Sequence, residues 1–189
     1  MTITKENGKY LIEIAKKTIS HYFKTHEKLE IPKDCPEELK EELGVFVTLN
    51  KNKQLRGCIG YPEPVMPAIK ATINAALSAS FDDPRFNPLN EEEFKEIEIE
   101  ITVLTKPQLL EVNKPEEYIE KIKIGTDGLI VQKGFYKGLL LPQVAPEYDM
   151  NEEEFLSHTC LKAGIHPNSW IKDDCEVYTF QGQIFYSGD

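Results

Sequence analysis

Glu96-Ile97-Glu98-Ile99-Glu100-Ile101-Thr102-Val103 is the stretch that decides the kind of fold. Its isoleucines and valine alternate with acids and a threonine, so one face is apolar and the other wet. That alternation marks a strand of an antiparallel sheet rather than the uniformly apolar strand of a parallel one. Upstream, Val45-Phe46-Val47-Thr48-Leu49 and Leu55-Arg56-Gly57-Cys58-Ile59-Gly60 flank the polar turn Asn50-Lys51-Asn52-Lys53, which predicts a hairpin. Downstream, Lys106-Pro107 breaks the strand. Leu129–Lys133 with Tyr136–Leu141 then predict a second hairpin, and Cys175–Phe180 with Gln183–Tyr186 a third, turning at Gly182.

Helices lie between these strands. Leu11, Ile14, Ala15, Thr18, Ile19, Tyr22 and Phe23 form one stripe at three- and four-residue spacing. A short helix is expected from Pro36 to the residues before Gly44, and an Ala-rich, largely buried one from Val65 to Ser80. Phe81-Asp82-Asp83-Pro84-Arg85-Phe86-Asn87-Pro88, with two prolines in five residues, is expected as a loop. A short helix follows near Glu116–Lys121. Asn151-Glu152-Glu153-Glu154 reads as a capping box opening a helix that turns Phe155, Leu156, Thr159, Cys160 and Ala163 inward and ends at Gly164. Hairpins outnumber strand–helix–strand crossovers, so the fold class is α+β with antiparallel sheets. The expected division is a larger lobe, 1–106 plus 172–189, holding both chain ends, and a smaller lobe, 107–171.

Bulk properties narrow the function. The chain has 189 residues, 40% hydrophobic and 29% charged, which suits one domain or two small lobes. A net charge of −10 disfavours nucleic acid and anionic membranes as partners. No apolar run approaches the ~20 residues of a membrane span, and the polar start Met1–Glu6 lacks a signal peptide's apolar core, so a soluble, cytoplasmic protein is expected. Cys35, Cys58, Cys160 and Cys175 are widely spaced and expected as reduced thiols.

If 55–60 is a strand, Arg56 and Cys58 point the same way, and a guanidinium beside a thiol favours thiolate. Gly57 and Gly60 would let a ligand approach the backbone. Cys58 is then either a reactive or ligand-holding thiol, or a core cysteine beside an arginine that pairs with a structural carboxylate. Asp83 and Arg85, on a loop stiffened by Pro84, either join this site or tie the loop down. Gln143 and Glu147 form a further polar cluster after an apolar strand. There Glu147 would serve as a general base if desolvated, and otherwise is a surface acid. His158, Cys160 and His166 do not suit a metal, because helix positions two apart diverge by roughly 200°, and no metal site is expected. Phosphate-cradle and nucleophile-elbow signatures are absent, and no cofactor is identified.

The hexapeptide Leu55–Gly60 resembles the hallmark of the AMMECR family. Phe81–Phe86 with Pro88-Leu89, Glu98–Leu104, Gly138–Ala145, and Phe155-Leu156 with Cys160–Gly164 resemble further blocks of that family in the same order. The resemblance implies two unequal lobes with antiparallel sheets and the hallmark facing a cleft between them. It also implies association with Memo-like and radical-SAM proteins, and leaves the reaction undefined. One departure concerns Tyr148-Asp149-Met150, near which many relatives carry a tryptophan that this chain lacks. Two functions are therefore expected. The first is an enzyme or enzyme component using Arg56, Cys58, Asp83 and Arg85 in the cleft; the second is a non-catalytic binding or adaptor module using the same cleft.

Overall fold

The computed structural model describes residues 3–172 and 174–188. It divides into two compact units: one runs to Thr105 and resumes at Gln183, and the other is Lys106–Gly182. The fold class is α+β, and the sheet in each unit is antiparallel.

In the first unit, α1 (Lys5–Thr25) opens where the Thr4 hydroxyl accepts the Asn7 N–H at 3.1 Å, and closes at His26 in the left-handed region (φ 58°). Its stripe of Leu11, Ile14, Ala15 and Ile19 is buried. The predicted hairpin is β1 (Gly44–Lys51) and β2 (Gln54–Tyr61), with Asn52 and Lys53 both at positive φ, as a two-residue primed turn requires. Next come α2 (Ala68–Leu77), α3 (Glu91–Phe94) and β3 (Ile97–Leu104). β1 lies between β2 and β3. Val45, Val47 and Leu49 of β1, with Ile99, Ile101 and Val103 of β3, pack against α1 and α2, each fully buried aliphatic contributing about 2 kcal/mol. The opposite face carries Thr48, Cys58 and Glu100 in one cross-strand row, because Thr48 pairs with both of the others.

Two local departures from the sequence expectation matter. The Val65–Ser80 helix starts late, at Ala68 after Pro67, and does not stop at Ser80 but widens into a π-helical turn, Ser78–Asp82. Phe81 and Asp82 thus belong to a helical turn, and only the segment from Asp83 is loop. The hairpin register slips between Leu49 and Asn50, so Leu49 faces Gly57, Asn50 faces Leu55, and Arg56 faces no residue. This bulge interrupts the strict alternation.

The second unit contains β4 (Gln108–Leu109), α4 (Glu116–Lys121), β5 (Asp127–Lys133), β6 (Tyr136–Leu140), α5 (Val144–Glu147), α6 (Glu152–Lys162) and the first part of β7 (Glu176–Tyr186). β5 is central, between β6 and β7. α6 has the full capping box at Asn151 and Glu154, and turns Phe155, Leu156 and Cys160 into a core shared with Leu129, Val131 and Trp170. The closing hairpin is not formed. β7 runs straight through Gly182, which is not among the positive-φ glycines. Its Glu176–Gln181 portion pairs with β5, which brings 172–182 into this unit rather than with the chain ends.

Candidate functional site

The site is built on the outer edge of β2. At Cys58 the backbone N–H and carbonyl have no strand beside them among the described residues, and an edge of that kind must be covered or charged. The Asp83–Arg85 pair does both. The Cys58 N–H donates to Asp83 Oδ2 at 2.9 Å, and Arg85 Nη2 donates to the Cys58 carbonyl at 3.1 Å. Asp83 also accepts from Arg85 Nε (2.9 Å), Arg85 Nη2 (2.7 Å) and the Arg85 backbone N–H (3.1 Å). The side-chain bonds from Arg85, outweighing burial, hold the Asp83 carboxyl well below the usual carboxylate range. Asp83 is only 4% exposed, so the pair is a side-chain substitute for a neighbouring strand.

With its backbone held on both sides, Cys58 presents a half-buried thiol on the face opposite the helices. There Thr48 Oγ1 donates to Sγ at 3.3 Å. Glu100, the next member of the row, is partly buried, and burial alone raises its pKa.

Arg56 does not share this arrangement. The bulge sends its guanidinium to α3, where Nε and Nη2 donate to the Glu93 carboxylate (2.7 and 2.9 Å) and Nη2 to the Asn87 carbonyl (2.8 Å). The expectation that Arg56 and Cys58 act as neighbours on one strand face is therefore corrected: Arg56 is engaged by Glu93 and Asn87, and the arginine that bonds Cys58, through its carbonyl, is Arg85. Glu93 is held at low pKa first by its bonds from Arg56, with Lys51 adding 3.9 Å away. Both guanidiniums lie over Phe86, with Cζ 5.7 Å (Arg56) and 5.5 Å (Arg85) from the ring centroid.

The glycines open no ligand path. A Cβ on Gly57 would sit 2.2 Å from the Ala79 carbonyl oxygen, in the π-helical turn, and one on Gly60 would meet the Phe46 ring at 2.4 Å. Their missing side chains admit the protein's own parts. Gln143 and Glu147 belong to the second unit, at and on α5, and both are exposed. Glu147 stands in solvent rather than enclosed in a cleft. In the same unit the His166 ring caps a 3-10 turn through Asn168 N–H (3.2 Å), His158 lines a surface groove, and Cys160 is in the core.

Sequence reasoning missed Glu93, Asn87 and Phe86, yet a signal was present. Of 22 basic residues only two are arginines, Arg56 and Arg85, and both meet at Phe86.

The AMMECR1 family profile matches residues 12–185. A protein from Pyrococcus furiosus is 52% identical over 188 residues, covering 97% of this chain and 89% of its own length. One from Methanopyrus kandleri is 50% identical over 186 residues, covering 97% and 89%. The crystal structure of an uncharacterised protein from Pyrococcus horikoshii superposes with a TM-score of 0.81 at 50% identity, covering 97% of this chain and 93% of that one.

Proposed function

The chain belongs to the AMMECR1 family, and on that premise we propose that it is an enzyme, or the thiol-bearing component of one, with Cys58 as nucleophile or ligand-holding group. One observation carries this. A buried carboxylate and an arginine fix both backbone groups of Cys58, while its thiol is left half-buried beside a hydroxyl. Such preorganisation is what a reacting side chain needs. Asp83 and Arg85 act as positioning residues, since neither retains a free carboxylate oxygen or base.

The test is alkylation of the native protein with iodoacetamide, followed cysteine by cysteine by peptide mass spectrometry. Cys58 is expected to react in the folded state, and a Cys58→Ser chain to fold normally yet fail to replace the wild type in its own cells. A Cys58 that stays protected until unfolding, or a Cys58→Ser chain that supports full cellular function, overturns the proposal.

A second function is favoured by a separate observation. In the second unit Leu140, Val144, Tyr148, Met150 and Leu161 line an apolar surface groove of about 420 Å³, with Tyr148 67% and Leu161 53% exposed. A groove of that kind suits a protein partner, and the family resemblance supplies Memo-like and radical-SAM proteins as candidates. Co-purification that Leu161→Glu abolishes supports an adaptor role; capture unaffected by that substitution removes it.

A further inference from the structure

The Arg85–Asn90 segment, the start of α3 and β2 enclose a polar hollow of about 430 Å³, walled by Arg56, Arg85, Phe86, Asn87, Asn90 and Glu93. Nε and Nη2 of Arg56 are committed to Glu93 and, through Nη2, to the Asn87 carbonyl; Nε and Nη2 of Arg85 are committed to Asp83 and, through Nη2, to the Cys58 carbonyl. The Nη1 corners remain. That of Arg56 is buried and has no hydrogen-bond partner among the described residues, a condition that costs ~1–3 kcal/mol and calls for a reason. The Arg85 side chain is 53% exposed. The composition reinforces the point. Twenty of the 22 cationic residues are lysine, which serves as a solvated point charge, and both forked, planar cations are spent on this hollow.

We propose that the hollow binds a carboxylate between the Nη1 ends of Arg56 and Arg85, with the Phe86 ring against the remainder of the ligand. Asp83 and Glu93 already offset the two arginine charges, so the site favours a monoanion. A phosphate dianion would also be repelled by Glu93, which lines the same hollow. The flat, two-oxygen carboxylate matches guanidinium donors. Because the Arg56 corner is buried, a bound carboxylate reaches it only with a local shift in the wall of the hollow. The carboxylate belongs either to a small acid or to a polypeptide C-terminus.

The full-length protein, uniformly labelled with nitrogen-15, gives two arginine Nε–H signals, one per arginine. Sodium acetate, replacing sodium chloride at fixed ionic strength, is expected to move both signals along saturable curves. Inorganic phosphate should bind at least fivefold more weakly. A tripeptide with a free C-terminus, compared with its amidated form, separates the sources: binding at least tenfold tighter than acetate and lost on amidation assigns a polypeptide end, and binding equal to acetate assigns a small acid. Arg85→Lys keeps a cation for Asp83 and should weaken acetate at least fivefold, in a chain whose amide spectrum shows it still folded. Phe86→Leu provides a second variant that leaves both ion pairs in place and should weaken the tripeptide more than acetate. Signals that fail to saturate, that move equally with chloride and phosphate, or that respond unchanged in Arg85→Lys overturn the proposal. None of these outcomes depends on Cys58, so a protected thiol removes the enzyme proposal and leaves this one standing.

Discussion

Cys58 on β2 and the Cys160–Cys175 pair in the second unit are the same chemical group treated in opposite ways. At Cys58 the backbone is held by Asp83 and Arg85, and the thiol reaches a half-open sheet face. In the second unit the thiols themselves are held. The interaction of Cys175 with Cys160, together with burial, raises the Cys175 thiol far above the ordinary range. The same interaction lowers the pKa of Cys160, and both cysteines are closed into the core. Holding a backbone presents a side chain; holding a side chain retires it. Free cysteines are most often inert, buried groups of the second kind.

The strongest way to break this contrast is to remove the cap. Asp83→Asn leaves Arg85 without its carboxylate and is expected to cost about 2–3 kcal/mol, read from urea unfolding at pH 7. The pH dependence has a definite sign. The folded-state pKa of Asp83 is depressed, so its stabilisation is whole above the ordinary carboxylate value and is lost as pH falls below about 4. The gap between wild type and Asp83→Asn should therefore narrow in acid. A gap that is constant from pH 7 to pH 3 means that the carboxylate is not what caps the strand.

Alkylation compares the two regions directly. Cys160 and Cys175 should react at least ~100-fold more slowly than Cys58 in the native protein, since each 1.4 kcal/mol of local opening costs tenfold. Equal rates for Cys58 and Cys160 would erase the distinction. Gly57→Ala probes the seat of Cys58 from behind. Its Cβ collides with the Ala79 backbone oxygen rather than with a flexible side chain, so about 2 kcal/mol of stability should be lost. Retained stability would show that the π-helical turn can retreat, leaving glycine's role at 57 to a ligand after all.

How much of this was legible depended on how local the cause was. The alternation of 96–103, the Asn151 capping box and the stripe of α1 each carry their own explanation within a few residues, and all three elements formed. The bulge at Arg56 did not announce itself, because a slipped register is a compromise between two strands. Counting faces along β2 alone therefore paired Arg56 with Cys58. The hairpin expected at Gly182 failed for a related reason: a glycine permits a turn without requiring one, and β5 offered Glu176–Gln181 a partner that kept the chain extended. Asp83 and Arg85 were recognisable as a loop pair, but that they cover an exposed strand edge is a tertiary fact. Glu93 lay hidden among Glu91, Glu92 and Glu93, where only its contact with Arg56 sets it apart.

The smallest expected effect concerns the row that faces Cys58. Glu100 stands opposite Thr48, which bonds the Cys58 sulfur, and its carboxyl is raised in pKa by burial alone. A carboxyl whose folded-state pKa is raised destabilises the fold once it must ionise. Glu100→Gln should thus increase the melting temperature at pH 7 by ~2 °C, with the gain vanishing below about pH 4, where the wild-type carboxyl is protonated in both states. Such a gain would mean that the chain tolerates a desolvated charge two strands away from its presented thiol, a cost that a purely structural sheet face has no reason to carry. A loss of stability on Glu100→Gln would instead mean that the carboxylate is tied into the fold as Asp83 is. The face around Cys58 would then be as structural as the core around Cys160.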